Sequence, residues 1–267
     1  MPGPGSPTTA ILRGNGRWPR DIKKGWPRVV AEGDSWFDFQ FGSTLTDPPR
    51  VDLLDNLNAN HKFAVWRVSK AGDTLANMVS GKEFERTRKA LASKGGRFFL
   101  FSAGGNDILG GPLDWHIRRK GEAGGPVKLT ELRTHVASLR PAFRTMIEKA
   151  VATAPGIHVF LHGYDYAIPS GKSVIKFFNL KIGPWMKPVL VNKGYTDLKE
   201  QRKIIAIFID ELNDMLKKLG KGVSNCTYVD CRGAVADNQW HDEIHPNSKG
   251  FAQVAKRFHA AIEPFLS

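Results

Sequence analysis

The sequence predicts an α/β fold with one parallel sheet covered on both faces. Three observations carry this. Five short runs rich in apolar, β-branched and aromatic residues alternate with helical patterns along the 267 residues. No internal repeat and no second unit of comparable organisation interrupts the alternation, which is the signature of layered α/β domains. Polar clusters follow four of the five runs, and the carboxyl ends of parallel strands are where such sheets build their sites.

Taken in order, residues 1–26 are rich in Pro, Gly and Arg and read as a flexible basic arm ahead of a single domain over 27–267. Residues 28–31 form the first strand. Residues 48–58 are expected to be helical, with Val51, Leu54 and Leu57 at helical spacing. Residues 63–68 form the second strand. Residues 74–79 and 84–92 read as helices, and 98–101 as the third strand. A Gly-rich basic loop over about 110–127 precedes a long helical pattern carrying Leu129, Leu132, Val136, Leu139, Phe143, Ile147 and Ala150. Pro141 lies inside that pattern and predicts a kink or two consecutive helices. Residues 157–161 are the fourth strand. The stretch 166–195 is long, irregular and apolar, interleaved with lysines, and reads as an insertion. A further helix bears Leu198, Ile205, Phe208, Leu212 and Leu219 on one side, with Asp197 and Glu200 at capping-box spacing and Gly220 as its stop. Residues 227–229 are the fifth strand, and a last helix shows Phe251, Val254, Phe258 and Ile262 on one face.

Composition excludes some classes and leaves others open. Hydrophobic residues make up 41% of the chain, enough for a sizeable core, yet no apolar run approaches the roughly 20 residues needed to span a bilayer. The first 27 residues lack the apolar stretch of a secretory signal, so a cytoplasmic protein is expected. Cys226 and Cys231 lie five apart near a strand, which argues for two reduced thiols rather than a disulfide. The net charge of +13 gathers in the N-terminal arm, in residues 116–120 and in the lysines of the insertion. A membrane surface or an acidic glycan is a candidate partner for that charge. Nucleic acid is disfavoured, because no groove-reading helix, zinc finger or RNA-binding aromatic motif is visible. The oligomeric state is not legible.

The chemistry converges on Gly33-Asp34-Ser35, which follows the first strand. Alone it is ordinary turn chemistry. A serine hydroxyl becomes a nucleophile only with a base to take its proton, and the base needs a carboxylate to fix its tautomer. Asp242-Glu243-Ile244-His245-Pro246, in the loop after the fifth strand, offers both three residues apart. An oxyanion needs preorganised donors. Gly72 after the second strand can give an N–H, Asn106 after the third a side-chain amide, and Ser35 its own N–H. Asp34 and Asp107 are expected to build the hydrogen-bond scaffold.

These four clusters, Gly33-Asp34-Ser35, Gly72, Gly104-Gly105-Asn106-Asp107 and Asp242-Glu243-Ile244-His245-Pro246, resemble the four sequence blocks of the SGNH, or GDSL-type, hydrolases. They stand in the family's order and span residues 29–250. The resemblance implies a flavodoxin-like three-layer α/β/α sandwich with a sheet of about five strands. It implies Ser35 as nucleophile, His245 as base, Asp242 as its orienter, and an oxyanion hole from Ser35, Gly72 and Asn106. It implies no cofactor and no metal, and a substrate that is an ester-containing small molecule, glycan or lipid. Trp36 departs from the family, which often has Leu there.

Other readings are weaker. His241 and His245 have zinc-like spacing, but Asp242 stands where a metalloprotease needs Glu, and Pro246 opposes the helix. No Gly-x-Ser-x-Gly elbow is present. Trp36, His162, Phe177 and Trp185 are the candidate substrate-binding residues, the last two within an insertion that reads either as a lid or acyl-binding wall or as a packing excursion. The leading function is a serine-dependent esterase or acyl hydrolase. The alternatives are an acyltransferase with the same triad and a non-catalytic module that binds an acidic ligand.

Overall fold

In the computed structural model, residues 11–13, 25–39, 51–93, 95–177 and 180–266 are described. In chain order the elements are β1 Ile11–Arg13, β2 Arg28–Gly33, α1 Leu53–His61, β3 Ala64–Arg67, α2 Leu75–Met78, α3 Gly81–Leu91, β4 Gly96–Ser102, α4 Gly105–Leu109, α5 Leu113–His116, α6 Leu129–Thr153, β5 His158–His162, β6 Ile175–Phe177, β7 Leu180–Ile182, α7 Lys187–Asn192, α8 Leu198–Lys221, β8 Cys226–Val229 and α9 Ser248–Ile262.

The main sheet is parallel throughout and runs β1-β3-β2-β4-β5-β8. Its five strands β3-β2-β4-β5-β8 carry the flavodoxin-like order, in which the first strand lies inside the sheet and the chain reverses direction on either side of it. The apolar runs explain the burial. Val29 to Ala31, Phe99 to Phe101 and Val159 to Leu161 are fully buried, as strands covered on both faces require. Helices α1 and α9 pack together as one layer, and α6 packs on α3 and α8 as the other.

The structure differs from the sequence reading at several points, among them the short helix α5 within the expected loop over 110–127. Within the expected N-terminal arm, residues 11–13 are strand, paired in register with Val65 to Arg67 of β3; residues 1–10 and 14–24 lie outside the described residues. The expected helix over 48–58 starts at Leu53, where Asp52 caps it, and residues 48–50 also lie outside the described residues. Pro141 does not divide its pattern; α6 is one helix of 25 residues, with Pro141 on its exposed side, where a lost backbone bond can be replaced by water. Helix α8 runs past Gly220 to Lys221. Asp197 does cap it, accepting from Glu200 N at 2.8 Å.

The stretch 166–195 is more ordered than its sequence suggests. It holds the antiparallel hairpin β6-β7 and the short helix α7. Cys226 and Cys231 are both buried free thiols. No helix among the described residues is long and apolar enough to cross a membrane.

Candidate active site

The site lies at the carboxyl edge of the sheet, beside β2 and β4, where the strand order reverses. Strand β2 ends at Gly33, which must be glycine because a Cβ there would meet Ser102 of β4 at 2.7 Å. The chain then turns tightly. The Asp34 carbonyl accepts from Phe37 N and Asp38 N, and the Asp34 carboxylate accepts from Trp36 N at 3.0 Å. Ser35 is held inside this turn, 6% exposed.

The loop between β8 and α9 brings the other two groups. It closes on itself, His241 N donating to the His245 carbonyl at 2.8 Å, and Asn247 caps α9 through Lys249 N and Gly250 N. The Asp242 carboxylate accepts from Ile244 N and His245 N, both at 2.9 Å. His245 Nδ1 lies 2.9 and 3.0 Å from its two oxygens, and His245 Nε2 lies 2.7 Å from Ser35 Oγ. A carboxylate only accepts, so Nδ1 carries the proton and Nε2 is free to accept from the serine. Burial alone would raise the Asp242 pKa. Hydrogen bonds from His241 and His245, the charge of His245 and the Ile244 N–H hold it well below the usual carboxylate range. Phe39 covers one side of the His245 ring at 4.6 Å between centroids.

The two donor loops after β3 and β4 are tied together. Asn106 Nδ2 donates to the Asp73 carbonyl at 2.9 Å, and the Asp107 carboxylate accepts from Leu75 N at 3.2 Å. Gly72 has φ +78, a conformation that strains any side chain. Ahead of it, Ala71 N donates to Asp38 at 3.4 Å. Asp38 and Asp52 both reach the buried Arg67 guanidinium, Asp52 at 2.7 and 2.8 Å, so one ion cluster fixes the loops after β2 and β3 relative to each other.

Ser35, His245, Gly72 and Asn106 line a single cavity of about 330 Å³. The rest of its wall is mostly apolar: Leu109 from α4, Ile209 from α8, Ile244 from the Asp242–His245 loop, and Ala167, Val174, Ile182 and Trp185 from the insertion. Trp36 and Trp185 both line this cavity, the Trp185 ring standing edge-on to His245 at 6.0 Å. Trp36 is mostly core, packed against Tyr164, Trp240 and Phe251. The Phe177 side chain lies outside the described residues.

His162 is a correction. It is absent from the cavity wall, buried behind Trp36 with ring centroids 4.9 Å apart. Its Nδ1 lies 2.9 Å from Ser102 Oγ, and burial pushes its pKa down to about 3, so it is a neutral core histidine. The position at the end of β5 suggested the site; the side chain points into the packed layer behind it.

Behind the nucleophile, Asp34 accepts hydrogen bonds from Ser102 Oγ at 3.1 Å and from Tyr164 OH. Burial pushes the Asp34 pKa up to about 6 against those bonds. The role expected of Asp34 as scaffold fits this set. Glu243 was not singled out in the sequence. It is fully buried, and its carboxylate accepts four backbone N–H groups, all from the insertion. An acidic residue between Asp242 and His245 carries no periodic or spacing signal, so only the three-dimensional structure reveals it.

Comparison with known proteins places these observations. A family model described as GDSL-like lipase/acylhydrolase matches residues 31–253. No curated protein was found to match the chain. Among solved structures, an extracellular lipase from Streptomyces rimosus is similar at 16% identity and a TM-score of 0.60, covering 88% of this chain and 99% of that one. A phospholipase A1 from Streptomyces albidoflavus NA297 is similar at 16% identity and a TM-score of 0.55, with the same coverage. A lipase from a goat rumen metagenome is similar at 14% identity and 0.54, covering 88% of this chain and 97% of that one. At these identities the likeness concerns the fold.

Proposed function

The chain belongs to the GDSL-like lipase/acylhydrolase family, a family of hydrolytic enzymes, and from that premise we propose that it cleaves carboxylic esters through an acyl-enzyme on Ser35. The observation that carries the proposal is the hydrogen-bonded line Asp242, His245, Ser35 opening on an apolar cavity.

The reaction follows from the geometry. Ser35 Oγ attacks the ester carbonyl while His245 Nε2, 2.7 Å away, takes its proton. Asp242 remains ionised and stabilises the imidazolium it faces. The carbonyl oxygen becomes an oxyanion, to which Ser35 N–H, Gly72 N–H and the Asn106 amide are the donors. One Asn106 N–H is already used on the Asp73 carbonyl, which fixes the amide plane and leaves the second for the oxyanion. His245 then gives its proton to the leaving alcohol, the alcohol departs, and Ser35 is left acylated. Water repeats the cycle: His245 takes its proton, the hydroxide carbon bond forms, and Ser35 leaves reprotonated.

The cavity favours an apolar acyl group. The similar lipase and phospholipase A1 structures are in keeping with esters of fatty acyl groups. The test is labelling by a fluorophosphonate together with a panel of aryl esters from acetyl to long acyl. Wild type should be labelled and active, and Ser35→Ala neither. Equal labelling of the two proteins refutes the assignment of the nucleophile.

A further inference from the structure

We propose that Glu243 is a positioning residue that clamps the 166–195 insertion onto the catalytic loop and thereby sets acyl-chain selectivity; this rests on the ester-hydrolase reading of Ser35 and His245. Glu243 stands between Asp242 and His245, and its side chain points away from them into the insertion. Its Oε1 accepts from Gly171 N and Lys187 N, each at 3.0 Å. Its Oε2 accepts from Trp185 N at 2.6 Å and Met186 N at 2.7 Å. Its backbone carbonyl accepts from Ile168 N at 3.0 Å. One residue thus gathers the start of the insertion, the segment before the hairpin β6-β7 and the segment after it.

What those segments carry is the acyl wall. Val174 leads into the hairpin and Ile182 ends it, paired through Val174 N to the Ile182 carbonyl at 2.9 Å, and both line the cavity with Trp185. Trp185 is itself one of the four donors to Glu243. Three wall residues are therefore fixed relative to Ser35 by a side chain that does not touch the cavity. The insertion is a preorganised wall, and an acyl chain that reaches it meets a surface already in place. A short acyl group does not extend that far and gains nothing from the clamp.

The chemistry of the clamp demands a carboxylate. Four N–H donors converge, two on each oxygen. Glutamine offers one oxygen and would turn its NH₂ toward the other two donors, leaving them buried and unsatisfied. Aspartate is one methylene too short to reach.

The test compares wild type and Glu243→Gln on p-nitrophenyl acetate and p-nitrophenyl octanoate. The expected result is a rise in KM for the octanoate of about tenfold or more, with kcat and KM for the acetate within about threefold of wild type. Equal loss of kcat on both esters would instead assign Glu243 to support of Asp242 and His245, and unchanged constants on both would remove it from specificity; either overturns the proposal. A second arm uses only wild type, so that a poorly folding variant does not block the test. Amide hydrogen exchange at Gly171, Trp185, Met186 and Lys187 should be strongly protected. Lys187 opens helix α7, where a first-turn N–H has no intrahelical partner and would otherwise exchange quickly. Exchange of these four at open-loop rates refutes the clamp. This arm needs no substrate, so a failure of the Ser35 reading, seen as wild type that neither labels nor hydrolyses, stays distinct from a failure of the clamp.

Discussion

Replacing Asp242 by Asn tests the catalytic reading at its most informative point. The two carboxylate oxygens share His245 Nδ1, 3.0 Å from Oδ1 and 2.9 Å from Oδ2, but otherwise have different partners. Oδ1 also accepts from Ile244 N and His245 N, while Oδ2 also faces His241 Nδ1 at 2.9 Å. An Asn carbonyl in the Oδ1 position keeps both backbone bonds, so the loop stays formed. Its NH₂ then takes the Oδ2 position and meets two imidazole nitrogens that previously donated. Nδ1 of His245 becomes an acceptor, the proton moves to Nε2, and Nε2 can no longer take the proton of Ser35. The charge that stabilised the imidazolium is lost as well. A wrong tautomer in a Ser-His-Asp arrangement costs about 10⁴ in kcat. At 1.36 kcal/mol per decade this is on the order of 5 kcal/mol of transition-state stabilisation. The assay is kcat/KM on an aryl ester across pH, with the urea midpoint measured in parallel. The expected result is a loss of 10³ to 10⁴ with a midpoint close to wild type. A loss of less than about tenfold, with the fold intact, would refute the view that Asp242 sets the tautomer of His245.

Two further predictions follow from other parts of the site. Under the proposed mechanism Asn106→Ala removes one oxyanion donor and should lower kcat by about 10² to 10³ with little change in fluorophosphonate binding before bond formation, since such a donor acts on charge that develops only in the transition state; steady-state kinetics on an aryl ester checks it, and unchanged kcat removes Asn106 from the hole. Glu32, buried in β2, has its pKa raised from 4.5 to about 8 by burial, against hydrogen bonds from the Thr87 hydroxyl and Gly33 N–H. The folded state therefore favours the protonated carboxyl: its contribution is complete below pH 4.5 and is lost as pH rises through about 8. Between pH 6.5 and 8 this removes stability on the order of 2 kcal/mol. Glu32→Gln should flatten that slope in urea titrations at the two pH values, and an unchanged slope would show that Glu32 is ionised throughout.

Much of the site is legible in the sequence because its groups come from short local motifs at strand ends. Gly72 is required by its positive φ and the Asp242–His245 spacing by a three-residue turn; both requirements act within a few residues and leave a visible mark, whereas the demand on Gly33 comes from Ser102 across the sheet. The strands are legible because burial on both faces leaves short runs of apolar residues at their centres, Val29 to Ala31, Phe98 to Phe101 and Val159 to Leu161. Arg67 gave no such mark. Its partners Asp38, Asp52 and Asp55 are scattered along the chain, and their cluster exists only after β3 pairs with β2.

The boundary between what the chain encodes locally and what folding decides runs through the stretch after β5. Sequence alone determined a parallel α/β sheet, its strand-end motifs and the order in which they occur, because periodicity and turn chemistry are local properties. Tertiary structure decided which of two neighbouring candidates faces the cavity. His162 turns into the layer behind Trp36, whereas Trp185 reaches the wall. It also gave Glu243 its four donors, which lie 56 to 72 residues away along the chain. A carboxylate satisfied at that separation has no local signature: its partners are backbone N–H groups, which every residue but proline carries, and only the folded path of the chain selects which four meet it.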